Sequence, residues 1–260
     1  VTRLLVVEGN TAKGMEAMLA GGRSLLHHRY AAVMEGLDED VHCEFAFPSE
    51  LGRNALPEGF AFVDFAGAVW TGSPLHIYEE SDAVLNQLAF AEALYASGVP
   101  IFGSCWGLQI MTRALGGRIR ENPKGREIGV VNDIRLNADG SAHSMFKDKP
   151  DGFQCFTIHL DEVDAPAPGT TVLASNEMSA VQAAVIETGG GRFWGVEYHP
   201  EFDARDVTGI YRVLKDQLVC EGTYDSGDTV IRAIEAINEG PATYDQTELT
   251  NWLASLKPQE

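Results

Sequence analysis

Residues 99–111 read VPIFGSCWGLQIM, and two different patterns meet inside them. VPIFGS is a short apolar run suited to a buried strand, while Trp106, Leu108, Ile110, Met111, Ala114 and Leu115 recur as a helix that closes at Gly116-Gly117. Cys105 falls on the turn between them. A glycine two positions to either side lets neighbouring backbones approach, which matches the nucleophile elbow of strand–turn–helix hydrolases. The N-terminus of the following helix carries partial positive charge and free N–H groups, so it is expected to depress the thiol pKa and to hold an oxyanion. The alternative is a buried cysteine that only packs, the reading that fits Cys43, Cys155 and Cys220.

Outward from this turn, apolar and β-branched runs recur at Arg3–Val7, Val41–Phe47, Ala66–Trp70, Val99–Gly103, Ile128–Leu136, Thr171–Ala174, Val181–Glu187 and Arg192–Val196. Helical patterns lie between several of them. In Ser81–Ser97, for example, Val84, Leu88, Ala91 and Tyr95 share a face, and Gly98-Val99-Pro100 ends the helix. Such alternation predicts an α/β fold, a doubly wound, mostly parallel sheet that binds ligands at the carboxyl ends of its strands. From Asn132 to Val185 helical signals thin out, which predicts a small antiparallel excursion. Beyond Asp203 the pattern becomes helical again: Val230, Ile231, Ile234 and Ile237 share one face, and Leu249, Trp252, Leu253 and Leu256 share another. We expect one domain over residues 1–260, with 203–260 a helical extension packed on it.

Composition excludes several classes of function. The 260 residues include 38 acidic and 19 basic side chains, a formal net charge of −19, which repels phosphate backbones and anionic membranes. Neither nucleic acid nor a membrane is expected as a partner. The four cysteines are widely spaced with no CxxC pair, so no thiolate metal site is expected. VTRLLVVEGN at the start of the sequence is far shorter than the roughly 20 apolar residues of a membrane span, and the protein reads as cytoplasmic. No phosphate-binding GxxxxGK[ST] motif occurs, and the glycines of TGGGR (188–192) fit a hairpin turn. No cofactor is expected.

A nucleophilic thiol needs a base, and the base needs an orienting group. GVEYHPEF, residues 195–202, supplies both directly after an apolar strand: His199 can take the thiol proton, and Glu201 can fix its tautomer. TGSP, residues 71–74, follows another strand, AGAVW. An amide of Gly72 or Ser73, with that of Trp106, can complete an oxyanion hole. The Trp106 indole is expected in the core, with a pocket wall as the alternative.

Together, TGSP, GSCWGLQ, HLDEV (159–163) and VEYHPEF resemble the class I glutamine amidotransferases, and among them the GMP synthase-like members without a fused synthetase. The resemblance implies a flavodoxin-like fold and hydrolysis of the glutamine side-chain amide to glutamate and ammonia through a Cys105 γ-glutamyl thioester, with Cys105, His199 and Glu201 as catalytic residues. By position, Gln109 would contact the glutamine and the segment His159 to Asp161 would lie over its amino-acid end, with Asp161 against the ammonium. Ser73 stands where many members have a second glycine, and Leu160 replaces a small residue. The stretch after the H-P-E motif reads as too short for a synthetase domain, so ammonia is expected to pass to a separate acceptor such as a synthetase subunit, or to be released. Two alternatives use the same residues: a hydrolase of γ-glutamyl peptides or γ-glutamyl amines, and a regulatory protein that retains the fold without turnover.

Overall fold

The computed structural model describes residues 1–150 and 152–257. The last three residues of the expected 203–260 extension lie outside the described residues. The strands are β1 (Thr2–Val7), β2 (Val41–Ala46), β3 (Gly67–Trp70), β4 (Ile101–Ser104), β5 (Arg118–Glu121), β6 (Glu127–Val131), β7 (Arg135–Leu136), β8 (Cys155–His159), β9 (Asp161–Ala165), β10 (Thr170–Ser175), β11 (Ala183–Thr188) and β12 (Gly191–Val196). The helices are α1 (Ala12–Ala20), α2 (Leu26–Leu37), α3 (Pro48–Leu51), α4 (Asp82–Ala96), α5 (Trp106–Ala114), α6 (Ala138–Ala142), α7 (Ala204–Cys220), α8 (Gly227–Glu239) and α9 (Thr247–Ser255).

The main sheet runs β2-β1-β3-β4-β12-β11-β10-β7. Its first five strands are parallel, and β11, β10 and β7 continue it antiparallel. This is the doubly wound α/β sheet expected, with the antiparallel excursion at one edge and two separate ribbons, β5-β9 and β6-β8. Central strands β3 and β4 are buried along their whole length, as a sheet covered on both faces requires. The predicted helix 81–97 is α4, capped by the Ser81 side chain accepting from the Val84 N–H. TGGGR is the β11-β12 hairpin turn, with Gly189 and Gly190 at positive φ.

Two expectations need correction, and two strands were not read from the sequence. Ile128–Leu136 is two strands broken at Asn132-Asp133, because β6 leaves for a ribbon with β8 while β7 joins the main sheet. β5, RIRE, and β9, DEVDA, carry too little apolar character to be read as strands, and they pair through charge, Arg120 facing Glu162 in the register. Ile231 is 41% exposed and does not share the buried face of Val230, Ile234 and Ile237.

Two layers cover the sheet. On one side α4 and α5 pack with Trp70, Phe90 and Trp106 at the centre. On the other, the C-terminal α9 docks beside α2 with Leu249, Trp252 and Leu253 among Leu4, Val6, Val69 and Phe102. Gly67 makes room for α9, since a Cβ there would stand 2.8 Å from the Trp252 ring. Among the described residues no helix is long and apolar enough to cross a membrane. Because Trp252 is almost completely buried, Trp252→Ala is expected to cost about 3–5 kcal/mol in urea unfolding. A loss below about 1 kcal/mol would place α9 outside the cooperative core.

Candidate active site

Cys105 is the hinge of the β4–α5 turn and holds φ 50° and ψ −103°, a conformation that costs a non-glycine residue roughly 1–3 kcal/mol. Its N–H donates to Val196 O at 2.8 Å, so the turn is tied to the end of β12. The glycines around it are spacing devices. A Cβ on Gly103 would lie 2.7 Å from the Gly107 carbonyl carbon, and one on Gly107 would lie 2.8 Å from Trp70 O. The sequence GSCWG thus lets α5 begin directly against β3 and β4.

Three further residues after β12, His199 reaches the same place, its N–H bonded to Phe156 O at 2.8 Å. Its Nδ1 lies 2.7 Å from Glu201 Oε1, so with the proton on Nδ1 this contact orients the ring and leaves Nε2 as the accepting nitrogen. The ring stacks on Phe202 at 4.0 Å. Glu201 Oε2 accepts from the Ser104 hydroxyl at 3.0 Å, and Ser104 in turn hydrogen-bonds Tyr30. Burial, with the Glu201 charge, pushes the Tyr30 phenol well above its ordinary range, so it remains a donor at the end of this chain. Sequence reading missed Ser104 and Tyr30. Ser104 is the residue before the cysteine, but Tyr30 lies on α2 and only the packing of α2 against the sheet brings it near.

The TGSP turn lies under the imidazole: a Cβ on Gly72 would stand 2.8 Å from His199 Cε1. Thr71 Oγ1 accepts from the Gly9 N–H at 2.8 Å, and Glu8 receives both Asn10 nitrogens and both His27 nitrogens that face it. Burial acts to raise the Glu8 carboxyl, but the His27 and Asn10 hydrogen bonds prevail and hold it below its ordinary value. Neither the Gly72 nor the Ser73 N–H finds a protein acceptor among the described residues, and both residues line the cleft. The Trp106 indole is fully buried, donating to Gln87 Oε1 at 2.8 Å, and forms no part of the cleft wall.

The remaining expected site residues form an acidic network. Gln109 Nε2 donates to Glu197 Oε1 at 2.6 Å. Burial raises the Glu197 carboxyl to about 8. His159 points Nε2 at Glu127, 2.8 Å, and Nδ1 at Asp161 O, 2.9 Å, so both nitrogens face acceptors. Burial opposes its protonation, yet Glu127 and Glu197 carry it up to about 8. Asp161, expected against a substrate ammonium, already accepts from His76 at 2.9 Å and from Tyr78 at 3.1 Å. Its carboxylate is therefore engaged by the protein itself. Glu197 and Glu127 escaped sequence reading because an acid at the end of an apolar strand, as after β12 and at the start of β6, looks like an exposed position.

Cys105 is 6% exposed, and burial, reinforced by the Glu197 charge, pushes its thiol well above the ordinary range, against the opposing Trp106 N–H. The expected depression by the helix N-terminus is overridden. A buried thiol, an imidazole oriented by Glu201 and unengaged N–H groups can still perform acyl transfer once a carbonyl enters. These groups line a cleft of about 460 Å³ that continues past His199 along α7.

The family model for glutamine amidotransferase class-I matches residues 55–211. The chain belongs to this family. Membership makes it a cysteine-dependent amide hydrolase. It is 32% identical to a γ-glutamyl-L-1-hydroxyisopropylamide hydrolase of Pseudomonas sp over 91% of this chain and 80% of that protein. A GMP synthase (glutamine-hydrolyzing) of Agathobacter rectalis is 30% identical over 66% of this chain, but the match spans only 31% of that longer protein. A glutamine amido transferase structure from Methylobacillus flagellatus superimposes with TM-score 0.65 at 19% identity, covering 100% of this chain and 96% of that one, and so shares the fold.

These environments predict a reactivity order opposite to that of an activated thiol. At pH 7, iodoacetamide is expected to modify exposed Cys220 faster than Cys105, whereas an electrophilic γ-glutamyl analogue modifies Cys105 first. Peptide mass spectrometry reads both. Rapid iodoacetamide capture of Cys105 would show a thiolate already present in the free protein.

Proposed function

We propose that this chain hydrolyses γ-glutamyl amides whose leaving group is larger than ammonia. Cys105 Sγ attacks the γ-carbonyl carbon as its proton passes to His199 Nε2, and the negative charge on the carbonyl oxygen is received by the N–H groups of Trp106 and Gly72 or Ser73. The C–N bond then breaks, His199 returns the proton to the departing amine, and a γ-glutamyl thioester remains. Water, deprotonated by the same imidazole, attacks the thioester and releases glutamate and the thiol. Glu201, braced by Ser104 and Tyr30, keeps Nε2 available throughout. Gln109 and His159 border the acyl end of the cleft, with Asp161 holding His76 in place there.

The observation that carries this reading is the apolar extension of the cleft beyond His199, lined by Met18, Leu26, Phe202, Ile210 and Leu214. Ammonia needs no such compartment; the body of an organic amine does. The match to the Pseudomonas hydrolase supports the same choice. The second reading, glutamine hydrolysis with ammonia delivered to a separate synthetase, draws its support from the GMP synthase relatives.

Amine release from a γ-glutamyl alkylamide is expected to exceed ammonia release from glutamine by about tenfold or more in kcat/KM. Glutamine preferred over every alkylamide, or turnover appearing only with an added synthetase, would favour the second reading. Glu201→Gln should lower kcat by about a hundredfold or more while the protein stays folded by circular dichroism. Unchanged turnover would remove Glu201 from the mechanism.

A further inference from the structure

The amine compartment contains a cation. Two arginines line the cleft, Arg23 and Arg126. Arg126 is neutralised by a two-pronged pair with Glu221 at 2.9 and 3.0 Å. Arg23 differs: among the described residues no carboxylate lies within 4.0 Å of its guanidinium, and its side chain makes no hydrogen bond. The nearby acids are committed elsewhere. Arg29 holds Asp203 at 3.4 Å and Asp206 at 3.0 Å, and Asp206 also accepts from the Asp203 N–H at 2.9 Å. In a chain with 38 acidic and 19 basic residues, a half-buried arginine in a cleft that feels Asp206 only at a distance has its fork of donors free to meet an anion.

Its position fixes which part of a substrate it faces. The Arg23 stem lies on Gly209 of α7, where a Cβ would stand 3.6 Å from Arg23 Cγ. The start of α7 is tied to the His199–Glu201 pair, because Arg29 donates to Glu201 O at 2.7 Å while holding Asp203 and Asp206. Phe202, one residue past Glu201, covers the imidazole ring. His199 delivers its proton to the departing amine, so the leaving group occupies the side of the cleft walled by Phe202 and α7. Gln109, His159 and Asp161, at the acyl end, hang from α5 and from the β8-β9 segment instead.

We infer that Arg23 binds a carboxylate on the leaving amine, making γ-glutamyl conjugates of apolar amino acids the preferred substrates. This rests on the γ-glutamyl amide reading above. An apolar side chain fits beside Met18, Phe202 and Leu214, and the α-carboxylate of the same amino acid reaches Arg23. Neither ammonia nor a neutral amino alcohol provides that contact.

The test uses γ-glutamylleucine and γ-glutamylisoamylamine, which differ only by the leaving-group carboxylate, with glutamine as the third substrate. The intact enzyme is expected to prefer γ-glutamylleucine about ten- to a hundredfold in kcat/KM, mostly through KM, as a charge-assisted contact made in the bound state requires. In Arg23→Gln the ratio of the first two substrates should collapse towards one, and Arg23→Lys should restore part of it. An intact enzyme indifferent to the carboxylate overturns the proposal even if no variant folds. Equal losses on all three substrates in Arg23→Gln also overturn it, placing Arg23 at the glutamyl α-carboxylate shared by them. Failure of the intact enzyme to cleave any of the three overturns the hydrolase reading instead. Calorimetric binding of γ-glutamylleucine to Cys105→Ala then decides the subsite separately, an Arg23-independent Kd counting against it.

Discussion

The strained turn at Cys105 sets the position of almost everything else in the cleft. A non-glycine residue stays at φ 50° only when its surroundings leave no alternative, and here β4, α5 and the end of β12 all close on one residue. The Cys105 N–H is held by Val196, so the strand that delivers His199 is bonded to the turn that delivers the thiol. Gly107 lets α5 rest on Trp70, the last residue of β3, and the Gly72 loop begins two residues on. The thiol, the imidazole and the TGSP amides are thus carried by three adjacent parallel strands whose separation is fixed by backbone hydrogen bonding. Helices could not position them as rigidly, because their packing tolerates larger shifts.

Much of this was legible in the sequence because each piece sits at a strand end and carries local punctuation. GSCWG, TGSP and HPEF each announce a turn after an apolar run, and the central strands are continuous apolar stretches that only a covered sheet explains. What was not legible depends on partners remote in the chain. Ser104 and Tyr30 brace Glu201 across the packing of α2, and no periodicity within residues 26–37 shows that the Tyr30 hydroxyl meets anything. β5 and β9 hid because their stability comes from Arg120 against Glu162 rather than from apolar alternation. The thiol environment was misjudged for a related reason. The helix N-terminus is visible as a pattern, but the degree of burial and the Glu197 carboxyl are set by tertiary structure.

Glu8, Glu127, Glu197 and Glu201 lie within or against the sheet with nearly no solvent contact, and burying such groups is unfavourable unless each finds donors. The structure supplies them in different ways. Glu8 and Glu201 each face an imidazole nitrogen and further donors, and through them hold loops in place. Glu127 shares His159 with the field of Glu197, and Glu197 itself has a Gln109 amide on one oxygen and, among the described residues, no partner on the other. Burial accordingly drives Glu197 towards its neutral form.

The same logic explains why a resting thiol suits this cleft. In a site surrounded by carboxylates, a permanent thiolate would add another anion to a region that already needs several internal cations and donors to stay folded. Keeping the proton on sulfur until a carbonyl arrives avoids that cost, and in the proposed mechanism the energy of ionisation would come from bonds that exist only in the reacting complex, from the TGSP and Trp106 amides to the oxygen. The arrangement also favours a substrate that brings its own binding energy. In the proposed reaction, an amine with an apolar body would lie against the wall formed by α7, and excluding solvent there would strengthen every charge–dipole contact of the transfer.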